Sequence, residues 1–194
     1  PLSIGGGPCV SNPEPVAEFF DAMVIGDGEN VILEMADIRI QMENDGRLDK
    51  GALLKKWSRL EGVYVPSAFK AAYNEKGHQV MRPLKEDGQG RVKRAIVSDL
   101  NQVLFPDRPV VPYGKPVHDR LRLEISRGCT RGCRFCQAGM IYRPVRERSM
   151  NTVMSLTDRC LQNTGYEDLS LLSLSTGEYT GISPLINTLM HRFS

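Results

Sequence analysis

The chain has 194 residues, 41% of them hydrophobic, and carries 25 Lys and Arg against 23 Asp and Glu. This composition is enough for a packed core in one large domain or in parts of two, and the charge is split: residues 1–65 carry 6 basic against 11 acidic side chains and residues 66–194 carry 19 against 12, which fits two modules better than a nucleic-acid-binding tail. No apolar run approaches the roughly 18 residues a membrane span needs, and the start carries no signal-peptide pattern.

Leu2-Ser3-Ile4 followed by Gly5-Gly6-Gly7-Pro8 reads as the end of a buried strand and a tight turn, where glycines let the backbone bend sharply and let a ligand come close. Cys9 reads as a small buried residue without a role. Asn12 is placed to cap a short helix with an apolar stripe at Val16, Phe19, Phe20 and Met23. A strand over 21–25 ends at Gly26-Asp27-Gly28, and Asn30 is placed to cap a helix buried through Val31, Ile32, Met35, Ile38 and Met42. Leu53, Leu54, Trp57 and Leu60 mark the next helix, and Val63-Tyr64-Val65 a strand that Pro66 stops. Strand, turn and helix repeated is the pattern of an open α/β layer, in which ligands sit at the carboxyl ends of the strands; both glycine turns fall there.

Residues 66–118 are richer in Lys, Gly and Pro. Here 67–73 and 91–97 read as two strands paired across a polar stretch, followed by extended chain through Pro106, Pro109, Pro112 and Pro116. His78 and His118 read as surface residues, and the Arg91–Arg94 run as a solvated face. From Leu121 the α/β pattern returns. A strand over 121–126 leads into a loop, Ser149 caps a helix with Val153, Leu156 and Cys160 on one face, Gly165 ends it, and 169–175 is an apolar strand. Ser175-Thr176-Gly177-Glu178 follows, then a helix from Ser183-Pro184. Strand–loop–helix twice over is the opening of a parallel barrel, where sites gather at the carboxyl ends of strands.

The chemistry concentrates in Arg127-Gly128-Cys129-Thr130-Arg131-Gly132-Cys133-Arg134-Phe135-Cys136. Three of five cysteines fall in eight residues, spaced CxxxCxxC. Three thiolates on one loop can converge on a soft metal centre, while no nearby Cys or His completes a four-ligand structural zinc site. A 4Fe-4S cluster held by three cysteines keeps one iron open to another ligand. Such clustering points to metal in a reducing cytoplasm and not to disulfides. Cys160, on a helix face, reads as core. Arg127, Arg131, Arg134, Arg143, Arg146 and Arg148 crowd the same region with Glu147 as the opposing acid, and most read as solvated.

CxxxCxxC after a first barrel strand, with Phe135 just before the last Cys, resembles the radical S-adenosylmethionine (SAM) enzymes. Gly5-Gly6-Gly7-Pro8-Cys9, Asn12-Pro13-Glu14-Pro15, Gly26-Asp27-Gly28-Glu29 and Cys136 to Arg146 resemble the subgroup with a cobalamin-binding-type domain ahead of the barrel. The resemblance implies a C-terminal part of a Rossmann-like cobalamin-binding-type domain over 1–65, a linker with a small β element over 66–118, and the first βα units of a radical SAM partial barrel over 119–194, the chain reading as an internal fragment of a longer protein. It implies that Cys129, Cys133 and Cys136 hold the 4Fe-4S cluster and that SAM chelates the open iron and is cleaved reductively. Phe135 would lie near the adenine, and Thr176, Gly177 and Glu178 stand where the family has a GGE-like motif for the SAM amino group, the first Gly being Thr here. Gly5, Gly6 and Gly7 would be the cobalamin-type contact; the DxHxxG motif that supplies a lower cobalt ligand is absent from the chain. The implied partner is an acidic reductant such as a flavodoxin or ferredoxin, met by one or two of the arginines. No membrane partner is expected, and nucleic acid stays open as a substrate class. Two other readings compete: an iron–sulfur electron-transfer protein, which needs a fourth cysteine placed for the cluster, and a zinc-binding interaction module, which needs a fourth Cys or His near the loop.

Overall fold

A computed structural model describes residues 1–84 and 90–193. The chain is mixed α/β and divides into two compact units, residues 1–97 and 98–194. The described residues of the expected linker up to 97 thus fall in the first unit and 98–118 in the second.

In the first unit a three-stranded sheet runs in the order β1 (Ile4–Gly5), β2 (Ala22–Val24), β3 (Val63–Tyr64). β1 and β2 are parallel, with Ile4 opposite Ala22, and β3 returns antiparallel, with Val24 opposite Val63. Between β1 and β2 the expected α-helix is replaced by two 3-10 turns, Pro8–Ser11 and Glu14–Phe19. Prolines at 8, 13 and 15 withhold the N–H groups that an α-helical ladder would need, which explains the substitution. Phe19 is accordingly exposed, and so is Cys9, against the expectation of a buried thiol.

Two helices cover the sheet, α1 (Glu29–Asn44) and α2 (Lys50–Trp57). α1 starts two residues earlier than the sequence pattern suggests and has Gly28, not Asn30, at its cap. Val31, Met35 and Met42 of its stripe are buried, whereas Ile32 faces out. α2 is capped by Asp49, whose carboxylate accepts from Ala52 N at 2.7 Å. Trp57 is 2% exposed, sits among Ala22, Val24, Leu53 and Val63, and donates its indole N–H to Met35 O at 2.9 Å. A buried indole needs such a partner, and here it ties the two helices together.

The strand pairing expected between 67–73 and 91–97 does not form. β4 (Phe69–Tyr73) pairs antiparallel with β5 (Gln79–Pro83) as a local hairpin. Its turn is set by Asn74, whose side chain accepts from Lys76 N and His78 N, with Gly77 at φ +74°. Residues 93–97 instead strap the carboxyl end of β2. Ala95 N donates to Ile25 O, Asp27 N to Ala95 O, Gly62 N to Lys93 O, and Val97 N to the Asp27 carboxylate, all between 2.8 and 3.0 Å.

The second unit is built on a parallel pair, β6 (Leu121–Glu124) and, later in the chain, β9, joined as the sequence pattern predicts. After β6 come β7 (Ser126–Arg127), a one-turn helix α3 (Ala138–Ile141) and β8 (Arg146–Glu147). β7 and β8 pair antiparallel, Ser126 opposite Glu147 and Arg127 opposite Arg146. α4 (Met150–Thr164) follows; Ser149 Oγ accepts from Thr152 N at 3.2 Å and Gly165 ends it at φ +72°. β9 (Leu169–Leu172) returns alongside β6 with Leu121 opposite Leu169, and α5 (Ile182–Phe193) closes the unit. Leu123, Ile125, Val153, Leu156, Leu185 and Leu189 form the core. Cys160 is fully buried, as expected; burial pushes its thiol above the usual range, which removes it further from ligand chemistry.

Candidate functional site

The cysteine loop is an excursion between β7 and β8, pinched at its base by that two-residue ladder and by Arg148 N donating to Ile125 O at 2.8 Å. Gly128 makes the pinch possible. It has φ +88°, and a Cβ there would stand 2.6 Å from Pro144 O and 2.8 Å from Tyr142 O. The returning strand therefore packs directly on the backbone of the residue before Cys129. Gly132, at φ +65°, turns the loop between the first two cysteines, and Cys136 N donates to Cys133 O at 3.0 Å.

All three thiols are free and none is buried: Cys129 and Cys136 are half-buried and Cys133 is exposed. Among the described residues no group of three or more His, Cys, Asp or Glu is gathered in a metal-holding arrangement, so the loop presents its donors without converging them. In kind they fit an iron–sulfur cluster, being three accessible sulfur ligands on a short glycine-turned loop. Thr130, Arg143, Pro144 and Val145 line an open hollow of about 510 Å³ with Cys129.

Two stretches that are far apart in sequence meet here. Residues Thr176–Glu178 form a 3-10 turn just beyond β9, and Glu178 reaches back to the loop. Its Oε2 lies 4.0 Å from Cys129 Sγ, and its Oε1 accepts from Arg131 Nε at 2.6 Å. Arg131 N donates to Cys129 Sγ at 3.5 Å. Cys129 and Glu178 are thus brought together. Phe135 is 91% exposed and stands apart from the core.

The arginines sort into two kinds, contrary to the reading that most are solvated with Glu147 as their acid. Arg148 is 1% exposed: its guanidinium donates to Glu124 O at 3.0 Å and to Leu100 O, lies 3.7 Å from Glu124 Oε2, and stacks over the Phe105 ring at 5.6 Å. Arg127 clamps the same Glu124 through two bonds of 2.8 and 3.0 Å, and Arg146 is buried as well. Glu147 instead accepts from Thr180 N at 3.0 Å. Glu124, at the carboxyl end of β6, is the acid that sequence reasoning missed. Its signal was there to find, a charged residue at the end of a strand, three residues before an arginine.

In the first unit the two glycine turns lie at the same end of the parallel pair β1–β2, as expected, but they differ in access. Gly6 and Gly7 have open space where a Cβ would be. A Cβ on Gly26 would stand 2.1 Å from Ala95 O. Asp27 is buried, accepts from Val97 N and has Arg94 at 4.0 Å. The Gly26 turn is filled by the protein's own strap and does not offer the ligand approach read from its sequence.

Residues 1–66 match the family described as radical SAM proteins, N-terminal. Along its length the chain is 29% identical, over 189 residues, to an uncharacterized protein of Methanocaldococcus jannaschii, a match that covers 97% of this chain and 35% of that protein. Its fold is similar to that of TsrM, a radical S-adenosylmethionine methyltransferase from Kitasatospora setae whose structure holds cobalamin and a 4Fe-4S cluster: TM-score 0.53 at 17% identity, over 97% of this chain and 34% of TsrM. At that identity the likeness is one of fold. The chain spans about a third of the length of both proteins. The resemblance to radical SAM proteins is borne out by the family match over residues 1–66, and the fold is similar to that of a protein whose structure holds cobalamin. No helix among the described residues is long and apolar enough to cross a membrane.

Proposed function

We propose that the chain contributes the cluster-binding part of a radical SAM enzyme, with residues 1–65 as the end of a Rossmann-like cobalamin-binding-type layer, residues 66–118 as the link, and residues 119–194 as the first βα units of a partial barrel. The observation that carries the proposal is the meeting of the cysteine loop with the turn after the neighbouring parallel strand, Cys129 Sγ lying 4.0 Å from Glu178 Oε2. Cys129, Cys133 and Cys136 would hold a 4Fe-4S cluster. Bound there, such a cluster would supply the single electron that reductive cleavage of SAM requires.

The chain's own residues do the placing. Glu178 stands beside the first thiol and, as a carboxylate, can accept from an ammonium group. Thr176 and Gly177 offer backbone donors and acceptors on the same turn, and exposed Phe135 offers a ring face at the loop's rim. Gly6 and Gly7 leave the space that a flat, bulky cofactor such as cobalamin would need in the first unit. Arg134 is exposed beside Cys133 and is the arginine best presented to an acidic flavodoxin or ferredoxin, whereas Arg131 is engaged by Glu178.

Anaerobic reconstitution with iron and sulfide, followed by EPR of the reduced protein with and without SAM, tests the proposal. A 4Fe-4S signal that changes when SAM is added supports it. A cluster indifferent to SAM favours plain electron transfer, and zinc in place of a cluster overturns it.

A further inference from the structure

Arg131 and Glu178 are 47 positions apart in the chain, yet Arg131 Nε sits 2.6 Å from Glu178 Oε1, while the backbone N–H of the same arginine points at Cys129 Sγ at 3.5 Å. Arg131 therefore holds both sides of the site at once: its main chain faces the thiol and its guanidinium the carboxylate. The loop around it has little else to fix its position. Gly132 follows immediately in a left-handed turn, Cys133 and Arg134 are exposed, and no side chain between Cys129 and Phe135 is buried. The anchored points are elsewhere, at the β7–β8 base, where Gly128 is wedged against Tyr142, Pro144 and Val145, and on the far side in α3.

We infer that the Arg131–Glu178 ion pair is a latch that holds the tip of the cysteine loop against the turn after β9 before any cluster is bound, presetting the place of Cys129 relative to Glu178. Arg131 is a positioning residue in this account. It does not need to touch substrate. Its effect runs through the loop: with the latch closed, the first thiol is presented beside the carboxylate, and with it open, the stretch between Gly128 and Cys136 samples many arrangements, few of which gather the three sulfurs. A single exposed pair of this kind shifts an equilibrium only modestly, but no side chain from Cys129 to Phe135 is buried to fix the loop in another place. The inference rests on the proposed cluster site for its purpose, though not for its existence.

The test is amide hydrogen exchange on the cluster-free chain, read over residues 129–136 and 176–179, for the wild type, R131Q, E178Q and the reversed pair R131E/E178R. Both single variants should speed exchange in the two stretches by about two- to fivefold, and the reversed pair should bring it back toward the wild-type rate. The Trp57-containing unit and α4 should keep their protection, separating a local latch from general destabilisation. Unchanged exchange in R131Q, or single-variant losses that the reversed pair fails to recover, overturns the latch. Iron and sulfide bound per chain after reconstitution supplies the second readout: R131Q should load at most about half as much as the wild type under limiting conditions, and R131E/E178R should load more than R131Q. If the wild type itself loads no cluster, the cluster proposal falls while the exchange experiment still decides the latch.

Discussion

Gly26 and Gly128 sit in different units, in motifs of different meaning, and do the same thing: each lets one stretch of backbone lie directly on another. Gly6 and Gly7, next door to Gly26 at the same end of the same sheet, do the opposite and leave open space, whereas a Cβ on Gly5 would stand 3.1 Å from the Phe20 ring. A glycine-rich turn at a strand's carboxyl end therefore has two physical uses, internal closure and ligand access, and only the residue on the far side of the missing Cβ separates them. For Gly26 that residue is Ala95, some 70 positions away; for Gly128 it is the returning end of its own loop.

The comparison breaks if closed and open glycines respond alike to a methyl group. Gly26→Ala should be the most damaging change. It would add a Cβ 2.1 Å from a backbone oxygen at φ +108°, combining a left-handed penalty of about 1–2 kcal/mol with overpacking of about 1–3 kcal/mol. A loss of about 3 kcal/mol or more in the first unit should appear in denaturant melts. Trp57, the chain's one tryptophan, lies in that unit's core and reports on it selectively. A variant as stable as the wild type would show that the strap is easily displaced.

Gly128→Ala should come next, at about 2–3 kcal/mol, since its backbone contacts are slightly longer at 2.6–2.9 Å. The damage should be confined to the second unit: the Trp57 transition should stay where it is, while protection of the Ser126–Arg127 and Arg146–Glu147 amides in hydrogen exchange is lost. A shift in the Trp57 transition would contradict the division into two units.

How much of this was legible beforehand follows the same division between local and distant causes. Helix α4 could be read end to end, because Ser149, its apolar face and Gly165 act within a few residues of one another. The parallel pairing of β6 with β9 was also legible, since strand–helix–strand has few topological solutions. The hairpin β4–β5 was misassigned although Asn74 and Gly77 mark its turn; the competing segment 91–97 had strand-like composition, and its partner proved to be the end of β2. The arginines were misjudged for the same reason. Burial of Arg148 depends on Leu100, Phe105 and Glu124 arriving together, and no window of sequence around residue 148 contains any of them. The cysteine spacing was plain to see, and its meeting with Glu178 was suggested only through resemblance.

The amino end of the β1–β2 pair is held by charge, which gives a smaller, pH-dependent effect and sharpens the contrast with the packed carboxyl end. Asp21 accepts from Ser3 N at 3.0 Å and pairs with Lys50 at 2.7 Å. The Lys50 bond first, and the Ser3 N–H next, hold its carboxyl below the usual value of 3.8. A carboxylate whose folded pKa is depressed adds stability that is fully present above its unfolded value and disappears as pH falls through the folded one. The first unit should therefore lose stability as pH drops below 3.8. Asp21→Asn should flatten that part of the profile while changing little at neutral pH beyond a few tenths of a kcal/mol. An unchanged acid limb would mean that the exposed pair contributes nothing measurable.

Gly6 should respond least to a methyl group and most informatively to bulk. It has no neighbour within 4 Å of its absent Cβ and no left-handed backbone, so Gly6→Ala should alter the Trp57 transition by less than about 0.5 kcal/mol. Gly6→Leu should be nearly as well tolerated, because the side chain projects into the open space. That makes it a probe of what the space is for. If the turn seats cobalamin, hydroxocobalamin should perturb its visible spectrum on binding the wild-type chain, and Gly6→Leu should weaken that binding at least tenfold with the fold intact. Equal binding by both proteins would remove the ligand from this turn. Binding by neither would leave Gly6 and Gly7 without the cofactor that their sequence resembles, and would reduce the contrast with Gly26 to one of packing alone.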